Sequence, residues 1–231
     1  MSKPASARVK VKRTPHRADY DRDAIHSILD SGLLCHLAFV FDGHSVVLPT
    51  LYWREGDRLY WHGSAASRLL RAVEGAIVCI AVTHLDGLVF ARSAFNHSAN
   101  YRSVTIFGVA SAVDDPRAKA AHLRTLMESL SPGRWDQLRP ISDTELKVTR
   151  VMSVAIDEAS AKVREGPPGD SGDFDWPVWA GVLPLTLTSG ALAKDGQGAS
   201  IDCEPPFIRG FATSSNSSCA SSRPALNSSR R

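Results

Sequence analysis

The chain is poor in cysteine, and its four cysteines, Cys35, Cys79, Cys203 and Cys219, form no C-x-x-C pair. Cys35 and Cys79 lie inside apolar runs, where a free thiol behaves as a small hydrophobe, so a reducing, cytoplasmic compartment is expected. No run of about 18 apolar residues is present to span a bilayer. The basic start MSKPASARVKVKRTP is not followed by the apolar segment a secretory signal needs, so a soluble protein without a membrane partner is expected. Charge of one sign is also scarce. The formal net charge is +3, and much of the excess sits in ARVKVKRTPHR and in the final RR, so no ordered nucleic-acid-binding face is expected. His36, His84 and His97, taken with Cys35 or Cys79, match no zinc-ligand spacing, and no metal site is expected.

What remains is a chain of 231 residues, 43% hydrophobic and 22% charged, long enough for a sizeable core. Residues 1–18 lack a periodic apolar face and read as a flexible basic arm. DYDRDAIHSILDSG has Ile25, Ile28 and Leu29 at helical spacing. Strand-like LLCHLAFVF then runs to Asp42-Gly43, a two-residue hairpin signal, and SVVLPTLYW leads through Glu55-Gly56-Asp57 into RLYWH. AIVCIAVTHL meets a second Asp-Gly at 86 and 87, from which LVFA is expected to return as another hairpin. SVTIFGVASAV reads as a strand whose Gly108 marks a bulge or a close backbone approach. DDPRAKAAHLRTLMESL reads as a helix, and VMSVAID and AKVRE close the β content. Six or more short strands with few helices favour a mainly β, antiparallel six-stranded barrel. Residues 19–187 form that domain. Residues 188–231 read as a low-complexity tail, with eight serines in the sixteen positions 214–229.

In LYWHGSAASRLLRAV a strand runs into a helix. With Ser64 at the N-cap, Ser64, Ser67, Arg68 and Arg71 share one stripe, while Leu69, Leu70 and Val73 take another face. Hydroxyls, guanidinium groups and unpaired first-turn amides then suit a phosphate. Arg68 stands in the first turn, whereas Arg71 lies about 10 Å along the axis, which ranks Arg68 first. The same pattern also suits a plain helix cap beside solvated arginines.

The order of these segments resembles the FMN-binding split-barrel proteins of the pyridoxamine 5'-phosphate oxidase-like superfamily, and within it the flavin-nucleotide-binding branch that includes the nitroimidazole-resistance proteins. The matching stretches are RADYDR, VVLPTLYW, LYWHGSAASR, THLDGLVFARSAF, NYRSVTIFG, PGRW and PVWAGVLPL, in order from residue 17 to about 187. The resemblance implies FMN held at the interface of a homodimer. Ser67 and Arg68 match its phosphate-binding positions, His62, Gly63 and Ser64 the strand end along the cofactor, and Leu48, Pro49, Thr50 and Leu51 the strand whose backbone faces the ring. Tyr101, Arg102, Ser103 and Trp179 are candidates to complete the site from the second chain.

His62 is the candidate catalytic residue, because an imidazole beside a bound flavin could orient a small-molecule substrate or donate a proton; the alternative is a hydrogen-bonded structural histidine. The resemblance implies an oxidoreductase, with nitroaromatic compounds as a substrate class. A flavin or haem carrier without turnover is the alternative from another class. Pyridoxamine 5'-phosphate oxidase activity is disfavoured, since the R-L-H-D-R-type substrate-holding segment of that enzyme has no counterpart here beyond FIRGFA.

Overall fold

The computed structural model describes residues 2–170 and 172–193. Ten strands are arranged as β1 (Ala18–Asp19), β2 (Leu34–Phe41), β3 (His44–Glu55), β4 (Arg58–Ser64), β5 (Ile77–Phe90), β6 (Ser98–Val109), β7 (Ser111–Val113), β8 (Thr149–Ala155), β9 (Glu158–Arg164) and β10 (Gly181–Pro184). The helices are α1 (Arg22–Asp30), α2 (Arg68–Ala72), α3 (Pro116–Leu130) and α4 (Asp143–Val148). All strand pairs are antiparallel, in the order β1-β9-β6-β5-β2-β3-β4-β8-β7, with β10 on β5. Only Ala110 separates β6 from β7, so one nearly continuous strand pairs with β5 at one end and β8 at the other. That strand closes a six-stranded barrel, the mainly β architecture expected from the sequence.

The alternating pattern of β2 puts Cys35, Leu37 and Phe39 inside, where they meet Trp61, Ile80, Ile106 and Met152. Each such fully buried side chain contributes roughly 1.5–3 kcal/mol of burial. Helix α1, capped by the Asp21 side chain, presses Ile25, Ile28 and Leu29 into the same core. A second cluster lies outside the barrel wall: Trp53, Tyr60 and Val151 pack under Leu123 and Leu126 of α3 and Leu146 of α4.

The Asp42-Gly43 turn forms as expected, with φ of 51° and 76° at its two residues, as a primed two-residue turn needs. The second Asp-Gly does not turn the chain. β5 continues through it to Phe90 with only a register shift between Leu85 and Gly87, because the Asp86 carboxylate is taken by Arg102 and its carbonyl by the Leu185 amide. Gly108 is the close-approach alternative: its pairing is in register, and a Cβ there would sit 2.5 Å from Val154 Cγ2. The strand expected from Ser103 begins earlier, at Ser98, so Asn100–Ser103 lie within β6. Helix α4, closed by a reciprocal Ser142–Glu145 capping box, and the short strand β10 were not expected. Along the amino-terminal segment Val9 is buried and the Val11 amide donates to the Tyr20 hydroxyl. Most of the serine-rich tail, with Cys203 and Cys219, lies outside the described residues. No helix among the described residues is long and apolar enough to cross a membrane.

Candidate functional site

The strand-to-helix junction is built differently from the expected cap. β4 extends through Ser64, and α2 starts only at Arg68 with Ser67 as its N-cap. Ser64 stays in the ladder opposite Thr149, and its hydroxyl accepts from the Ala66 amide at 3.2 Å, so the turn 64–67 is held by its own serines. The Ser67 hydroxyl accepts from the Leu70 amide at 3.3 Å. Ser64 and Ser67 therefore bracket a turn rather than share a helical stripe with the arginines.

The turn isolates one cation. Arg71 donates to the Ala65 carbonyl at 3.3 Å, and Arg150, opposite Gly63, is ion-paired with Glu74. Arg68 is exposed and has no hydrogen-bond or ion-pair partner among the described residues, and neither do the amides of Arg68 and Leu69 have acceptors there. A Cβ at Gly63 would stand 2.4 Å from Leu70 Cδ1, so any side chain there would turn the end of Leu70 aside.

Beside the turn the barrel is split. β3 and β4 pair only from Tyr52/Trp61 to Glu55/Arg58, so Leu48–Leu51 and His62–Ser64 diverge instead of continuing the ladder. The Tyr52 amide donates to the Leu33 carbonyl at 3.0 Å. By alternation, the backbone groups of Val47, Pro49 and Leu51 address the side without a strand. A proline suits that edge, since it has no N–H to leave unpaired. Leu48 packs on the barrel core, Leu51 is exposed, and the Thr50 hydroxyl donates to the Leu51 carbonyl at 3.3 Å.

His62 is half-buried, with its ring 6.1 Å from that of Trp53 and its Nδ1 enclosed without a partner. Burial lowers its pKa from the usual 6.5, so the imidazole is neutral at pH 7. It can therefore orient a group by one N–H or one lone pair, while supplying a proton as imidazolium is disfavoured.

The remaining expected site residues sit elsewhere. Val113 is level with His62 through Val151, and Ser103 lies about ten residues back along that strand, on the order of 30 Å of extended chain. A single chain thus does not unite Arg68 with Tyr101, Arg102 and Ser103. Arg102 is held bidentately by Asp86 at 2.9 and 3.0 Å, and Ser103 Oγ donates to the Lys162 carbonyl. With His84, Leu85 and Leu187, Arg102 lines a cleft of about 870 Å³, within the range of small-molecule sites. Trp179 is 68% exposed and lies over Gly181, where a Cβ would meet the indole at 2.8 Å. Phe95 and Phe174, also highly exposed, were not singled out from the sequence. The stretch ARSAFNH carries the signal for Phe95: an aromatic among small and polar residues, with no periodic partner to bury it.

The sequence profile of the pyridoxamine 5'-phosphate oxidase family matches residues 21–163. The flavocytochrome Anf3 of Azotobacter vinelandii is 43% identical with a TM-score of 0.85, over 89% of this chain and 96% of that one. An FAD- and haem-binding protein of Mycobacterium smegmatis is 39% identical with a TM-score of 0.79, over 84% of this chain and 97% of that one. A 5-nitroimidazole antibiotic resistance protein described from Bacteroides thetaiotaomicron is 21% identical with a TM-score of 0.53, over 63% of this chain and 86% of that one, a likeness of fold alone. No curated protein matches the sequence. With a family match over more than half its length and two solved relatives spanning most of it, this chain belongs to the pyridoxamine 5'-phosphate oxidase family.

Proposed function

We propose that the protein is a flavin- and haem-binding redox protein that works as a homodimer. The observation that carries this reading is the pair of relatives at 43% and 39% identity, one named a flavocytochrome and the other an FAD- and haem-binding protein. The local chemistry fits a flavin. Arg68, with the free amides of Arg68 and Leu69 beside the Ser67 hydroxyl, offers charge and donors to a phosphate group. The unpaired edge at Val47, Pro49 and Leu51 offers backbone groups to the polar rim of the ring, with His62, Gly63 and Ser64 on the facing strand.

A bound flavin accepts and passes on electrons; the chain supplies the anion site, the polar edge and shielding from water. The second relative favours FAD over the FMN expected from the sequence, since an FAD-binding protein of this similarity shares the whole barrel. Nitroaromatic reduction draws its support from a protein 21% identical, so electron transfer to a small acceptor through flavin and haem is the stronger reading.

The outer face of the barrel supports the dimer. On that face Leu34, Val40, Val47, Leu51, Ile77 and Val109 are all at least 43% exposed. Val47 stands opposite Ala38, which stands opposite Cys79, and Ile77 stands opposite Val109, so the patch is continuous across β3, β2, β5 and β6. A continuous apolar face of this kind is what an interface between two copies requires.

The test is the absorbance spectrum of the purified full chain, with chromatography of the released cofactors. The expected outcome is flavin bands together with a haem Soret band, and FAD in the released fraction. A chain that neither carries nor takes up flavin and haem would refute the reading, and released FMN alone would correct it.

A further inference from the structure

The structure also carries a basis for choosing where haem would be held, an inference that rests on the flavin-and-haem reading above. An imidazole that ligates haem iron must present one unprotonated ring nitrogen, and it is held in that state when the other ring nitrogen donates its proton to a fixed acceptor. The ligand must also open onto apolar surface broad enough to cover a porphyrin.

The eight histidines of the chain differ sharply on these two counts. His16, His36 and His44 are exposed, and no hydrogen bond among the described residues orients their rings. His26 is turned to Asp57 through Nε2 at 3.3 Å, and His84, anchored through Nε2 on the Ile28 carbonyl at 3.0 Å, opens onto a cleft lined by Ser27, Asp30, Ser31, Asp86 and Arg102 rather than onto apolar surface. His62 has its Nδ1 enclosed and unanchored. His122 is anchored by Glu55 at 2.9 Å, but its ring face is covered by Tyr60 at a centroid distance of 4.3 Å.

His97 meets both requirements. Its Nδ1 lies 2.9 Å from the Ser93 carbonyl, which can only accept, so Nδ1 carries the proton and the exposed Nε2 carries the lone pair. The same carbonyl accepts from the Asn96 amide at 3.2 Å, closing the short 3₁₀ turn Ala94–Asn96 that aims the ring. The base of this loop is fixed as well: the Arg92 amide and guanidinium both donate to Asp170, which is 1% exposed. Around His97 the surface is aromatic. Phe90 meets the imidazole edge-on at 6.0 Å, Trp179 lies 6.0 Å beyond Phe90, and Phe95, two residues before His97, is 94% exposed.

We infer that His97 is an axial ligand of haem iron through Nε2, with Phe95 and Trp179 covering the porphyrin. An open aromatic surface beside an anchored imidazole is a poor arrangement for a free protein in water, and a flat apolar macrocycle that the imidazole also ligates satisfies both at once.

The experiment titrates the full-length, flavin-loaded protein with haemin. Wild type is compared with His97→Ala, Phe95→Ala and the control His36→Ala, reading the Soret band and the bound haem ratio. Wild type and His36→Ala are expected to take up haem with an imidazole-ligated spectrum. His97→Ala should hold haem at least ~10-fold more weakly, lose that spectrum, and regain it on addition of free imidazole, while its flavin content stays unchanged. Phe95→Ala should keep the ligated spectrum with weaker uptake. Wild type that takes up no haem would overturn the haem reading and this inference together. Wild-type binding with an unchanged spectrum and affinity in His97→Ala would overturn the ligand assignment alone, as would a spectrum lost only in His36→Ala. Should His97→Ala lose its flavin as well, His97→Gln decides: flavin retained with the imidazole-ligated spectrum gone would support the assignment, and flavin retained with that spectrum intact would overturn it.

Discussion

At the scale of single residues, two side chains near the split decide what a test can read. Arg68 is the cation that the junction leaves unpaired among the described residues, so its removal should cost a phosphate contact and little else. Arg68→Ala is expected to weaken flavin binding by ~10-fold or more, since a charge-assisted hydrogen bond contributes about 1.5–3 kcal/mol. Fluorescence titration checks this, and Arg71→Ala, whose guanidinium serves the Ala65 carbonyl, should change affinity far less. His62 makes a different prediction. Its pKa in the folded chain lies below the unfolded value near 6.5 because burial penalises the charged ring. The unfolded state therefore binds more protons as pH falls, and the stability from neutral His62 is intact above about 6.5 and is lost as pH drops from there toward the depressed value. A His62→Asn variant should lose less stability than wild type between about pH 7 and pH 5, read by urea denaturation at each pH. An equal loss in both proteins would show that His62 takes up its proton over the same pH range folded as unfolded.

At the scale of elements, the glycines show what a sequence displays and what it hides. Asp42-Gly43 was legible because a two-residue turn needs positive φ locally, and the turn formed where expected. Asp86-Gly87 presents the same dipeptide, yet the chain runs straight on, because Arg102 and the Leu185 amide claim Asp86 from β6 and from beyond β10. Those partners lie too far along the chain for any local pattern to reveal. The junction was legible in kind but misplaced by a turn: serines at 64 and 67 both suit a cap, and only the pairing of Ser64 with Thr149 chooses between them. The capping box S-D-T-E at the start of α4 was there to be read, but a helix of six residues offers little periodicity to draw attention to it. The resemblance named Leu48–Leu51 for the proposed flavin edge; the splaying of β3 from β4, which leaves that stretch unpaired on one side, was not legible. Gly63 links this scale to function. Gly63→Ala must turn the end of the Leu70 side chain aside, with a cost of about 1 kcal/mol, that of one off-rotamer side chain. It should lower the melting temperature and, by shifting α2 and Arg68, also weaken flavin uptake; normal flavin binding in a destabilised variant would separate the two effects.

At the scale of the whole molecule, the barrel presents an apolar outer face that a second copy would cover. A charge placed there should separate the dimer without touching the inner core. Val40→Glu, at a position 66% exposed in one chain, is expected to shift sedimentation toward the monomer and to lower flavin retention with it. A dimer that survives Val40→Glu and Ile77→Glu together would place the interface on another face. The same scale explains why β5 is so long: it serves β2 at Ala81–Cys79, β6 along its whole opposite edge, and β10 from Gly87 to Phe90. Strand β10 thus occupies the stretch of β5 that β2 leaves uncovered. Without it, Val89 and its neighbours would present bare amides and carbonyls beside apolar side chains, a template on which foreign strands can add. The four residues Gly181–Pro184 cover that edge, and the Leu185 amide carries the cover one step further to the Asp86 carbonyl, so the template stays closed as far as the Asp86-Gly87 irregularity.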